Sequence, residues 1–598
     1  MTGRKAPRGV ARTIVGLLLV LATLFLSGCQ STPATTEFAG PDWSRGKLLG
    51  VSAINNRPGI AWDSASENAI VTWLTTSEGA WRFQLARVDD RGGIVSSQTL
   101  SLALRLPTRP QFLRDSAGGF HLFWLDSESG GRPGLYHAQV TAQGEVISAP
   151  LKISSAESDV TGYGMTEALA GTLDIFWSDV TKGAEGLYHA RLSANDEFAV
   201  APHALGAGGE HPSPATDASG TVHLAWHKTG TLGSEQILYA TFDPKTLTLS
   251  QETEMDAFPT GMGLSLYPPE VALDNDHVYL VWSLERRAGG LAPGTAQTTL
   301  ATFPIGHPEQ HAESELLLPA TLQRDYPTAS GVFNYRRLAP LPKTVRGISD
   351  YTYMPFAIPC QRAEAGLMLS TYMAPPRRQG EIQIAFVALG GGEVKGFQTA
   401  ARTRSSSMRP VAVADETGAI HLVWLDAAGF GAYEVYYAST SPSVKAALNA
   451  ITVDDVITSV VGRTWSMAAA LSFFPMLVVW MFLPFAWLVL FYLFRPDSDL
   501  RTRTGWVGLG VAMALYLVSK LFMLPAFLWY APFLDIAPAN LENLLVFGFP
   551  VLIAAIGLLA MRSYIRRSDR KVVLIAFAIF AFTDSILSLI LYMPNVMG

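Results

Sequence analysis

The chain has 598 residues, 49% of them hydrophobic, a formal net charge of −6 and two cysteines. That length exceeds one ordinary domain. The mild acidity, with no basic cluster in the first half that could track a phosphate backbone, gives nucleic-acid binding little support, and two cysteines, which could at most form one pair, do not suggest a disulfide framework.

Residues 1–28 read as a signal peptide. Arg4, Lys5, Arg8 and Arg12 precede an apolar run from Ile14 to Leu26, the order of a secretory leader. The run ends Leu26-Ser27-Gly28-Cys29, which resembles the bacterial lipobox: an aliphatic residue, two small ones, then Cys. The resemblance implies that Cys29 is lipidated and becomes the mature N-terminus. Membrane lipid is then a partner, and Cys360 is a lone thiol. Residues 29–45, rich in Thr, Ser and Pro, read as a tether.

From there to about residue 440 one short strand recurs. It appears as Ile70-Val71-Thr72-Trp73, His121-Leu122-Phe123-Trp124, Asp174-Ile175-Phe176-Trp177, His223-Leu224-Ala225-Trp226, Tyr279-Leu280-Val281-Trp282 and His421-Leu422-Val423-Trp424, with a degenerate copy at Leu369-Ser370-Thr371-Tyr372. A Pro lies about fourteen residues earlier (Pro58, Pro110, Pro212, Pro268, Pro359, Pro410), the third copy alone lacking it near Tyr163. An Ala in a second strand follows: Ala86, Ala138, Ala190, Ala240, Ala301, Ala385 and Ala438. A fourth, outer strand completes each unit. Four strands per unit, repeated seven times, predict an all-β seven-bladed propeller over 46–455. The orphan piece Gly46–Val51 resembles the outer strands and is expected to complete the last blade. About 304–357 breaks the rhythm and is expected to be a functional insertion, with Tyr326, Tyr335, Arg336, Arg337, Tyr351 and Tyr353 in it.

Four apolar runs follow, at about 467–494, 505–531, 543–561 and 572–593, each long enough to cross a bilayer. They predict an all-α membrane domain of four transmembrane helices over 467–598. Arg495, Arg501 and Arg503 mark the first loop, and Arg562, Arg566, Arg567, Arg570 and Lys571 the third, so both are expected in the cytoplasm and the propeller outside. Lys520 and Asp584 lie roughly 22 and 18 Å along their runs, at similar depth, and are expected to form an intramembrane ion pair. The location expected is the bacterial cell membrane, multi-pass, with an N-terminal lipid anchor.

Few residues suggest chemistry. His121, His223 and His421 share one repeat position with Asp174 and Tyr279, and with His137 and His189 they read as scaffold; no metal, cofactor or catalytic residue is assigned. Asp126, Asp179 and Asp426, each two residues after a Trp, read as turn acceptors. Arg109 and Arg409 each precede the Pro of an inner strand, near a propeller's channel, and are candidates for holding a carboxylate or an acidic sugar.

In its Pro-led strand and its His-Leu-x-Trp strand the repeat resembles the propellers of bacterial sialidase-like, BNR-type repeat proteins, over about 46–440. The group's Asp box, Ser-x-Asp-x-Gly-x-x-Trp, is absent, and no arginine triad with a Tyr/Glu pair is assigned. The first reading is a non-enzymatic recognition or assembly module for extracytoplasmic protein or glycan. The alternatives are a surface glycosidase-like enzyme, or a component of a transport or signalling complex with other membrane proteins as partners.

Overall fold

A computed structural model describes residues 39, 42–127, 131–230, 233–259, 264–286, 295–316, 352–358, 365–373, 381–403, 405–429, 431–470, 477–496, 499–528, 531 and 541–597. By internal contacts the chain separates into a propeller unit, Ala34–Ala374 with Gly380–Ala450, and a helical unit that takes in Ile451–Gly598.

The recurring strand folds as its pattern requires. Its Trp is buried in six of the copies, from Trp73 to Trp424. The residue two before each Trp pairs with the recurrent Ala: Val71 with Ala86, Leu122 with Ala138, Ile175 with Ala190, Leu224 with Ala240, Leu280 with Ala301 and Leu422 with Ala438. Small and large side chains thus alternate on the faces that stack between blades. The result is seven antiparallel sheets, a seven-bladed β-propeller. Their inner strands are Gly59–Asp63, Thr108–Arg114, Val160–Leu169, Glu210–Thr216, Leu264–Leu273, Thr352–Ile358 and Ser407–Ala414.

Closure comes from Lys47–Ser52, which pairs with Ala432–Ser439 as the outer strand of blade seven. Just before it, Trp43 is fully buried in the core beside Phe386, and Arg45 bonds to Asn449 and to the Leu448 carbonyl. Lys47 lies opposite Tyr437, and Ser439 opposite His421, so both ends of the propeller leave from one face.

Three expectations change. In blade six Ala385 pairs with Leu369, which therefore takes the place two before the Trp; Thr371, not Tyr372, stands at the Trp position, and Tyr372, one residue further on, falls on the other face. The inner-strand proline there is Pro355, at the same register break as in other blades, not Pro359. Accordingly 304–357 is not one insertion: Ala312–Glu315 is the outer strand of blade five and Thr352–Ile358 the inner strand of blade six. Tyr326, Tyr335, Arg336, Arg337 and Tyr351 lie outside the described residues, as do Cys29, Cys360 and the leader.

The helical unit holds Val453–Ala470, Leu477–Phe494, Arg503–Leu528, Glu542–Arg567 and Val573–Met597. Among the described residues two helices, not four, are long and apolar enough to cross a membrane: Asn543–Arg567 and Val573–Tyr592. Trp480–Phe494 is apolar but shorter. The expected first run includes 471–476 and the second 529–530, which lie outside the described residues. Arg501 donates to the Asp569 carbonyl at 2.8 Å and Leu500 N–H to the Lys571 carbonyl at 2.9 Å, so the two basic loops share one end of this unit.

Candidate functional site

The inner strands carry the site. In blades two, four, five and seven the ladder to the next strand slips around the Pro, between Thr108 and Gln111, Glu210 and Ser213, Tyr267 and Glu270, and Met408 and Val411. Proline has no N–H to give the ladder, so a bulge forms there and re-aims its neighbours. Arg109, His211 and Arg409, each just before such a Pro, adopt φ values of 51°, 55° and 55°. Left-handed backbone in a non-glycine residue is strained, and three equivalent cases at one end of the axis point to a function for the side chains. This end is opposite the face from which both propeller termini leave.

The side chains meet across the channel. The Arg57 guanidinium is 3.2 Å from Glu270 Oε1, linking blade one to blade five. Ser213 Oγ donates to the other oxygen of Glu270 at 3.2 Å. Arg109 Nη1 donates to His211 Nδ1 at 2.7 Å, reaching from blade two to blade four, and Tyr163 of blade three donates to the Arg109 carbonyl at 2.5 Å. Gly162 makes this reach possible, because a Cβ there would stand 2.1 Å from His211 Nδ1. In the third repeat Tyr163 stands where its sisters have proline, and Gly162 stands where they have Arg109, His211 and Arg409. Arg409 Nε donates to Asn55 Oδ1 at 3.2 Å, and Tyr267 donates to Glu285 Oε2 at 2.8 Å.

Electrostatics show that these groups share one space. Burial lowers the pKa of Arg409 to about 10, with further lowering from the charges of Arg57 and Arg109 and support from Tyr267. Burial also lowers that of Arg109, Arg57 acting the same way and Tyr163 and Glu210 opposing. Arg109 is itself exposed to solvent. Burial, and after it Arg109 and His227, hold His211 at about 3, so its imidazole is neutral and accepts the Arg109 hydrogen bond. Three guanidinium cations remain close together, interleaved with Glu210, Glu270 and Glu285. Such a set grips a carboxylate bidentately while the acids accept hydroxyl protons.

Arg109 and Arg409 are the sequence candidates, and the structure sets both at this end of the axis. Arg57, His211 and Tyr267 were not singled out, although each precedes a Pro as Arg109 does (Pro58, Pro212, Pro268). Counting every residue before that proline would have found them. Glu270 and Glu285 gave no such signal.

In blades four and seven the repeat histidines form closed relays on the opposite edge of the blades. His223 lies between Asp217 Oδ2 at 3.1 Å and the Tyr239 hydroxyl at 2.6 Å, and His421 between Asp415 Oδ2 at 3.3 Å and the Tyr437 hydroxyl at 2.7 Å. In blade five Tyr279 donates to Asp274 at 2.6 Å. Asp126 accepts the N–H groups of Arg105 and Leu106 in the chain entering its blade, and Asp179 accepts those of Asp159, likewise entering, and of Thr181 in the turn that follows it, whereas Asp426 accepts from Ser407 Oγ and Trp424 Nε1.

In the helical unit, the Lys520 ammonium donates to Asp584 and, at 2.9 Å, to Ser588. Tyr516 donates to the same Asp584 oxygen at 2.6 Å. Asp584 is fully buried.

No protein-family model matches the chain, and no curated protein sequence matches it. Solved structures are similar at low identity. A protein of unknown function from Dyadobacter fermentans is 10% identical, over 66% of this chain and 98% of its own, with a TM-score of 0.35. A polysaccharide lyase, an ulvan lyase, is 11% identical over 65% and 95%, with a TM-score of 0.38. The α-L-arabinofuranosidase of Podospora anserina is 12% identical over 44% and 99%, with a TM-score of 0.28. At such identities the likeness concerns the fold alone.

Proposed function

We propose that this chain is a membrane-held, extracytoplasmic propeller that acts on an acidic carbohydrate as a glycosidase-like enzyme, its axial site taking the sugar carboxylate. The observation that carries the reading is the gathering of Arg57, Arg109 and Arg409 at one end of the axis, each felt by the others' charge or feeling it. Glu210, Glu270 and Glu285 in the same space would repel a phosphate polymer. A carboxylated sugar suits the mixture, since its carboxylate needs guanidinium donors and its hydroxyls need acceptors.

Tyr267 and Glu285 supply the reactive pair of this reading. Glu285, 2.8 Å from the phenol oxygen, takes the proton as that oxygen attacks the anomeric carbon. The glycosidic bond breaks and the leaving oxygen takes the proton that Glu285 received; water then attacks the anomeric carbon, its oxygen and one proton staying on the sugar as the hydroxyl and its other proton returning to the Tyr267 oxygen. Tyrosine nucleophiles are an established variant of the two-carboxylate scheme.

The membrane side of the proposal retains four spans, a lipid on Cys29 and the basic loops in the cytoplasm. It is supported by the two apolar helices and by the hydrogen bonds that hold both basic loops at one end. Recognition of protein or glycan without turnover is the second reading. It is favoured by Arg57 and Arg109 already being paired with Glu270 and His211.

The test uses full-length protein in detergent against fluorogenic glycosides of carboxylated and neutral sugars. Turnover of a carboxylated substrate, lost in Tyr267→Phe with binding retained, supports the enzyme. Binding without turnover supports recognition. Failure to bind any carboxylated sugar overturns both the enzyme and acidic-glycan recognition.

A further inference from the structure

One repeat position departs from its sisters. In blades four and seven the imidazole of His223 or His421 is clamped between an Asp and a Tyr hydroxyl, so both ring nitrogens are satisfied. Blade two keeps the Asp, with His121 Nε2 at 3.1 Å from Asp115 Oδ2, but replaces the Tyr by His137. His121 Nδ1 and His137 Nε2 stand 3.0 Å apart. Both residues are 1% exposed.

Proton placement then meets a difficulty. With Nε2–H given to Asp115, His121 Nδ1 offers a lone pair, and His137 Nε2–H donates to it. His137 Nδ1 is left with a lone pair of its own. Facing that nitrogen at 3.8 Å is Asp196 Oδ1, carried by the outer hairpin of blade three, and 4.0 Å from His121 Nδ1. Neither His137 Nδ1 nor Asp196 Oδ1 has a hydrogen-bond partner, and both atoms are buried. Two acceptors turned towards each other in a buried site call for a cation between them.

Asp196 is held for this position. Its backbone takes φ 60°, and its other oxygen accepts from Ser148 Oγ of blade two at 2.8 Å. The sister pair in blade three has no such triad: Asp174 replaces the first His, and His189 Nε2 meets it directly at 2.7 Å with Arg191 also bonded there.

We propose that His121, His137 and Asp196 bind one divalent transition-metal ion, zinc by donor type, as a staple between blades two and three. The three donor atoms lie within 4.8 Å of one another. Tetrahedral zinc with bonds of about 2.0 Å sets its ligands roughly 3.3 Å apart, a contraction that side-chain rotation supplies. Two imidazoles and a carboxylate suit zinc better than calcium or magnesium. Asp115 orients His121 from behind, as carboxylates do at zinc-bound histidines.

The test is metal content of the full-length protein. Protein stripped with a chelator, incubated with zinc and desalted is assayed by elemental analysis beside His137→Tyr, which restores the side chain of blades four and seven, and Asp196→Asn, which keeps a residue tolerant of positive φ. The expected result is one retained zinc per wild-type chain and loss of that equivalent in both variants. Zinc should raise the melting temperature of the stripped wild type and leave that of His137→Tyr unchanged. Asp115→Asn should weaken zinc binding about 10- to 100-fold. A wild-type chain that retains no zinc, or a His137→Tyr chain that retains as much as wild type, overturns the proposal.

Discussion

Arg57 and Glu270 lie 3.2 Å apart, a pair that spans the channel from blade one to blade five. Both side chains are about a quarter exposed, 28% and 24%, so the pair adds little to stability. Arg57→Ala should therefore lower stability by less than about 1 kcal/mol. Its effect on an acidic oligosaccharide should be larger, about tenfold to a hundredfold weaker binding, because a charge-assisted contact is lost. Thermal melts and calorimetric titration of the same variant separate the two effects.

Asp426 should make stability depend on pH near neutrality. Burial pushes its carboxyl up to about 6, against hydrogen bonds from Ser407, Thr403 and Trp424. A folded-state pKa above the ordinary value means that the protonated form suits the fold. Its contribution is then complete below about pH 4 and is lost as pH rises through 6. Asp426→Asn, whose amide oxygen can still accept from Ser407 and Trp424, should remove this slope. Melting temperatures between pH 4.5 and 7.5, roughly one unit or more either side of the folded pKa, check it.

Asp415 should act in the opposite sense at lower pH. Burial opposes its ionisation, but hydrogen bonds from His421, Thr417 and the Ala419 N–H prevail and hold it at about 2. Its stabilisation is present above the ordinary carboxyl value and is lost as pH falls from about 4 towards 2. Asp415→Asn should be less stable than wild type at neutral pH, and the gap should close on acidification within that window.

Lys520 and Asp584 should behave as a unit. Removing one partner leaves a buried charge, so Lys520→Met should cost about 3 to 5 kcal/mol. Asp584→Asn should cost less than Lys520→Met, because the amide can still accept from Tyr516. In Lys520→Met/Asp584→Leu much of the loss should return, since no charge remains unpaired. Equal destabilisation by the double variant and by the sum of the singles would mean that the two do not couple. Thermal melts of all the variants in one detergent decide it.

Blade number and strand order were legible because a buried Trp and a buried Ala recur in fixed register, and such spacing survives in sequence. The sixth blade was misaligned by its degenerate aromatic, since Tyr372 looks like a Trp substitute but has the wrong parity for that face. Half of the axial site was legible in Arg109 and Arg409. Arg57 could have been read from Pro58, whereas Glu270 and Glu285 come together with it only through closure of the ring. The relation between His137 and Asp196 was invisible for the same reason: the residues belong to different blades, and no local pattern couples them.

Closing the ring with Lys47–Ser52 also imposes an order in time. That strand is made before any complete blade, and its partner Ala432–Ser439 only after the other six blades have been made. Throughout synthesis its hydrogen-bonding edge must wait, exposed to wrong pairing, and the final step joins segments separated by nearly the whole domain. A chain released early cannot seal itself, so one short ladder distinguishes a finished propeller from an unfinished one.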